Sequence, residues 1–286
     1  MNMLNKESLS SENVLNLIRK VCKENYGDDN IHAVEKVLSD VRDLFGGKRR
    51  GFLRCDTRYH DIFHTLLIIH PFTGIIDGWN KSGKDPKIPK EMFTLGLIAV
   101  FLHDTGYIKK EGDIEGTGGK YTFIHIKRSA EFADHYLSSM GFSQEDIVSV
   151  KNMIMCTGVK VNFEKILFNS REERLAGYAL GTADLIGQMS AEDYIEKLPA
   201  LYHEYEEAYS YEGKERLRER GVVLFSSADD LIRRTPHFYE VTVKERFEKM
   251  GSMHQYLTHH FKDSRNHFID AIENNIRIIK LAALIQ

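Results

Sequence analysis

Of the eight residues from Leu95 to Leu102, all but Gly96 are apolar, and the run stops abruptly at the charged pair His103-Asp104. Eight residues fall far short of the about 20 needed to span a bilayer. They suit a buried helix that delivers a histidine and an aspartate from the protein interior. Thr105-Gly106 follows at once, and a glycine there can adopt the left-handed conformation that ends a helix. The pair is therefore expected in a last turn facing a cavity. A buried carboxylate without a partner is costly. Asp184 presents the same problem behind Leu175, Ala176, Ala179, Leu180 and Ala183. One shared cation would neutralise both carboxylates.

Tyr59-His60-Asp61-Ile62-Phe63-His64 supplies the complementary donors. His60 and His64 are four residues apart, which puts them on one face if the segment is helical. Neutral imidazoles and ionised carboxylates together bind divalent cations. A cation with an open coordination position can turn bound water into a nucleophile near neutral pH. The chain is accordingly expected to be a metal-dependent hydrolase.

The order His, then His-Asp, then a distant Asp resembles the HD-domain superfamily of metal-dependent phosphohydrolases, over roughly residues 55 to 210. Tyr59-His60-x-x-x-His64 is similar to the Tyr-His-Asn-x-x-His signature of the cyclic-nucleotide phosphodiesterase branch. Met153-Ile154-Met155-Cys156-Thr157-Gly158 resembles that branch's Ile-Leu-Ala-Thr-Asp segment, and Tyr202-His203-Glu204-Tyr205-Glu206 falls in a similar order. The resemblance implies that His64, His103, Asp104 and Asp184 ligate metal and that His60 protonates the leaving oxygen. His125 becomes the candidate ligand for a second ion, and Cys156 stands where other members often place a histidine. Asp61 stands where the phosphodiesterase branch has Asn. Thr105-Gly106-Tyr107-Ile108-Lys109-Lys110 lacks that branch's next His and Asn, and its purine-clamping Gln has no counterpart. These departures argue against a cyclic nucleotide. The Glu-Asp pair of the alarmone-hydrolase branch is missing as well.

In the mechanism this implies, Asp104 and Asp184 orient a metal-activated water for in-line attack on phosphorus, and His60 supplies a proton. A neighbouring carboxylate such as Asp61 would favour the charged imidazole. His and Asp donors suit one or two ions of Mn, Fe, Co, Ni or Zn, with Mg suited to a more oxygen-rich second position. The segment from Gly106 to Tyr121, rich in glycine and charge, reads as a mobile lid. Its Lys109, Lys110 and Lys120, with nearby Lys127 and Arg128, are candidate phosphate ligands. Lys48-Arg49-Arg50, Arg54 and Arg58 are placed to draw anions toward the histidines.

Only 5 prolines and little strand-like alternation point to an all-α fold. Val34, Val37, Leu38, Val41, Leu44 and Phe45 keep helical period up to Gly46, as do Ala130, Ala133, Leu137 and Met140 up to Gly141. Ser143-x-x-Asp146 reads as a capped start for the next helix. The expected architecture is an irregular helical bundle of the HD-domain type. Its parts are N-terminal helices over 1–50, a phosphohydrolase core over 51–210, and C-terminal helices over 211–286 that pack on the same domain. His259-His260 reads as a loop or surface pair, because adjacent histidines point in different directions on a helix.

Three widely spaced cysteines and no charged-then-apolar leader fit a cytoplasmic protein. A net charge of -3 gives no basic footprint for a nucleic-acid duplex, and no stretch suits a membrane. The expected partner is a small-molecule phosphate ester or nucleotide, and the oligomeric state is not legible. Two other classes stay open: a di-iron HD-type oxygenase, and a non-catalytic effector-binding protein.

Overall fold

A computed structural model describes residues 9–284. The chain is all-helical, and its one β-type pairing among these residues is an isolated bridge between Phe52 and Lys110. The helices are α1 Ser11–Tyr26, α2 His32–Phe45, α3 Ile62–Lys81, α4 Lys90–Leu102, α5 His125–Ser139 and α6 Gln144–Met155. They continue as α7 Arg171–Met189, α8 Tyr194–Glu212, α9 Lys214–Glu219, α10 Ala228–His237, α11 Lys244–Lys249, α12 Leu257–Phe261 and α13 His267–Ala282. Short polar side chains start several of them. Ser10, Asp61, Ser143 and Ser170 each accept from a backbone N–H in the first turn, satisfying a donor the helix cannot.

The centre consists of α3, α4 and α7, whose apolar residues are buried on more than one face. Gly187 on α7 allows close contact with α3, since a Cβ there would meet the Ile68 backbone at 3.1 Å. Around this centre one continuous apolar core takes in Val14 and Val37 from the first two helices and Phe247, Leu257 and Ile272 from the last ones. The C-terminal helices are attached through polar contacts as well. Asn275 on α13 donates to the carbonyls of Met189 and Ala191, and His260 beside Asp77 ties α12 to α3 at 2.6 Å. His260 is thus half-buried and partnered, not a free surface residue. No helix among the described residues is long and apolar enough to cross a membrane.

Two local readings change. Gly106 does not take a left-handed conformation; the chain leaves α4 through a 3-10 turn, Thr105–Tyr107. Glycine is needed there for space, because a Cβ would lie 2.0 Å from the His125 carbonyl oxygen. The stretch to Tyr121 is not a free lid either. It is pinned along its length by Glu207 on Thr117, by Asp56 on the Gly118 N–H at 2.8 Å, and by a 3-10 turn at Gly118–Tyr121.

Candidate metal centre

Four elements deliver the donors. His64 lies in the first turn of α3, where its N–H donates to Asp61 at 3.0 Å. His103 follows the last residue of α4, Asp104 opens the 3-10 turn, and Asp184 projects from α7. All four are buried. His64 Nε2 is 3.4 Å from both Asp104 Oδ2 and Asp184 Oδ1, and His103 Nε2 is 3.3 Å and 3.9 Å from the same two atoms. Four donors each about 2.1 Å from a cation in a tetrahedron would sit about 3.4 Å apart. The four nitrogen–oxygen separations are of that order, and His64, His103 and Asp184 bring ligand atoms within 4.8 Å of one another.

Two of these atoms, His103 Nε2 and Asp104 Oδ2, are buried and make no hydrogen bond. Such atoms are uncommon in a folded interior unless something else meets them. His103 is already fixed from behind, with Nδ1 2.7 Å from the Val100 carbonyl, so its free nitrogen is the one that faces the carboxylates. His125 is held in the same way by the Thr122 carbonyl at 2.6 Å, and His60 by Glu204 Oε2 at 2.5 Å.

His60 and His125 flank a second side of Asp104. His125 Nε2 is 3.7 Å from Asp104 Oδ1, and His60, His64 and Asp104 bring ligand atoms within 4.8 Å of one another. Asp104 thus turns Oδ2 toward His64 and His103 and Oδ1 toward His125. Tyr107 fills the gap between the two imidazoles, its ring stacked 4.4 Å from His60 and 4.5 Å from His125.

Electrostatics follow from burial and neighbours. Burial opposes the charge on His103, but the Asp104 carboxylate outweighs it and pushes the imidazole up to about 9. Asp104 is itself held well below the carboxylate range, since the adjacent histidines outweigh its burial. Burial dominates at His125 and pushes it down to about 4. At His60 burial works against protonation and Glu204 overcomes it, raising the pKa. Protons and a cation compete here for the same lone pairs.

The structure brings His60, His64, His103, Asp104, His125 and Asp184 together, but it places other expected residues elsewhere. His60 precedes α3 and so shares no helix face with His64; the rings meet, 5.2 Å apart, because the chain turns there. Asp61 caps α3 and is not the partner of His60. That partner is Glu204, buried on α8, which also accepts from the Tyr59 N–H at 2.7 Å. The segment around Glu204 was visible by its order, but nothing in it marked one glutamate as buried.

The expected phosphate ligands are mostly committed. Lys109 is buried against Asp56 and the Gly116 carbonyl, and Lys120 against Asp113 and the Glu115 carbonyl. Arg128 bonds the carbonyls of Gly106 and Ile108 and lies 3.6 Å over the Tyr121 ring. Lys110 and Lys127 are exposed, Lys127 facing Glu131 at 3.8 Å. Cys156 turns away, its thiol bonding the Asn152 carbonyl and packing toward Gly177.

Among curated proteins, none matches the chain. A protein-family profile described as Npun_R2479-like matches residues 4–266, nearly the whole chain and every residue of the centre. The chain thus belongs to the Npun_R2479-like family.

Proposed function

We propose that this chain is a metal-dependent phosphohydrolase of the HD-domain type, acting on a small phosphate ester or a nucleotide. The observation that carries this reading is the convergence of His64, His103, Asp104 and Asp184, with two of their donor atoms buried and unpartnered. These four residues would hold a divalent ion such as Mn, Fe, Co, Ni or Zn, and His125 beside Asp104 would offer donors to a second, for which Mg is a further candidate. When bound, the ion would supply a Lewis acid and a water of lowered pKa.

The chain's own residues account for the rest. Asp104 and Asp184 accept hydrogen bonds from a water between them and orient it. Glu204 fixes Nδ1 of His60 and favours its protonated form, so Nε2 carries the proton that a leaving oxygen requires. The Tyr107 ring holds that imidazole in plane. The buried α4 and α7 exclude water from the far side of the carboxylates.

The test is hydrolysis of phosphomonoesters, a generic diester and a nucleotide panel by manganese-loaded protein, alongside Asp104→Asn purified in parallel. Folded Asp104→Asn should lose both bound metal and turnover. A metal-loaded native chain inactive on every substrate would sink the proposal. In that case the double-sided placement of Asp104 favours a di-iron oxygenase, to be sought by iron loading, oxygen uptake and a Mössbauer signature of coupled iron.

A further inference from the structure

Arg246 on α11 is the only buried arginine among the described residues, at 4% exposure. Its Nη1 donates to the carbonyls of Gly158 and Val159 at 2.6 and 3.0 Å, and its Nη2 to that of Cys156 at 3.0 Å. Nε is buried with no partner. Among the described residues no carboxylate lies within ion-pair distance of it. Carbonyl dipoles alone are poor compensation for a full charge taken out of water, so a guanidinium buried in this way needs an anion at longer range.

The packing indicates which one. The Cys156 carbonyl that Arg246 grips abuts Gly181 on α7 so tightly that a Cβ there would lie 2.5 Å from its oxygen. Met250, just past α11, closes on the same glycine and receives the Thr182 hydroxyl at 3.9 Å. Asp184 is three residues further along α7. The guanidinium therefore lies one layer beneath the turn that carries a candidate metal ligand. Burial pulls the guanidinium's pKa below its usual value, and the charge of Asp184 acts against that pull.

We propose that Arg246 is a charge-balancing residue of the metal centre, its fixed positive charge offsetting that of Asp184 and limiting how tightly a divalent cation is held. This assignment rests on the reading that the His–Asp set holds such a cation. Binding a divalent ion makes the centre more positive even where the ion displaces a proton from an imidazole, since two charges enter and one leaves. A nearby guanidinium therefore stabilises the metal-free centre more than the loaded one.

A purely structural clamp on the Cys156–Val159 loop predicts the opposite sign, because loosening it would disorder Asp184 and weaken metal binding. The discriminating experiment is Mn(II) titration of chelator-stripped full-length protein, followed by the electron paramagnetic resonance of free Mn(II). Arg246→Lys keeps the charge and loses most of the carbonyl bonds. Arg246→Met and Arg246→Gln lose the charge, and Gln retains a donor for the loop should Met fold poorly. The neutral variants should bind Mn(II) about tenfold more tightly than Arg246→Lys. Equal or weaker binding by the neutral variants overturns the assignment. A native chain that binds no Mn(II) overturns the metal reading as well as the assignment.

Discussion

Two side chains hold the imidazole of His60, Glu204 at its Nδ1 and Tyr107 against its face. Replacing Glu204 by Gln keeps the shape but removes the charge that favours protonation. On the proposed mechanism kcat should then fall by about 10²- to 10⁴-fold, with bound metal unchanged. Steady-state kinetics with parallel metal analysis would check this, and undiminished turnover would remove His60 from the role of acid. Asp61→Ala should behave differently, because its carboxylate caps α3 at the His64 N–H. Stability in urea should drop by about 1 kcal/mol, while the acid limb of the pH–rate profile stays in place. A shifted acid limb would return Asp61 to the role its sequence neighbourhood implies. The candidate donors stood out in the sequence because each combines an ionisable group with an apolar setting. The sequence could not identify Glu204, whose neighbours Tyr202, His203 and Glu206 look equally suited to a solvated helix.

At the scale of elements, α12 is seated on α3 through glycine. At Gly78 a Cβ would stand 1.8 Å from the Tyr256 carbonyl oxygen, an overlap that only movement of α12 or the turn before it can relieve. Gly78→Ala should therefore destabilise the chain by about 3 kcal/mol, measured as a lowered urea midpoint. Gly83→Ala has open space but a φ of +77°, so its milder cost is strain alone. The buried run Leu95–Leu102 and the Ser143 cap were legible because period and capping are local properties. The Gly106–Tyr121 segment was not, because the partners that pin it come from far along the chain. Asp56 precedes α3, and Glu207 lies on α8. A lysine that will be buried beside such a carboxylate reads the same as one that stays in water.

For the molecule as a whole, acid should be destabilising before any carboxylate titrates. Burial holds both His70 and His254 down at about 4, and the nearby His260 adds to the effect at His70. A histidine in the unfolded chain titrates near about 6.5. Between those values the unfolded state binds more protons, so stability rises with pH and is lost as pH falls from about 6.5 toward 4. Urea midpoints at pH 7 and pH 5 should show the loss, and His70→Gln should retain more of its pH 7 stability at pH 5. An equal pH dependence in that variant would show that His70 titrates normally in the fold. The all-helical class was readable from period and proline content, whereas the route by which four separated helices meet at Asp104 depends on packing that no local pattern encodes. Glu204 and Glu207 add one more global constraint. One glutamate orients His60 and the other fastens the segment that follows Asp104, and they sit three residues apart on α8. Inserting or deleting one residue between them would swing one carboxylate about 100° around the helix. The turn between these two glutamates acts as a ruler whose length the molecule cannot alter.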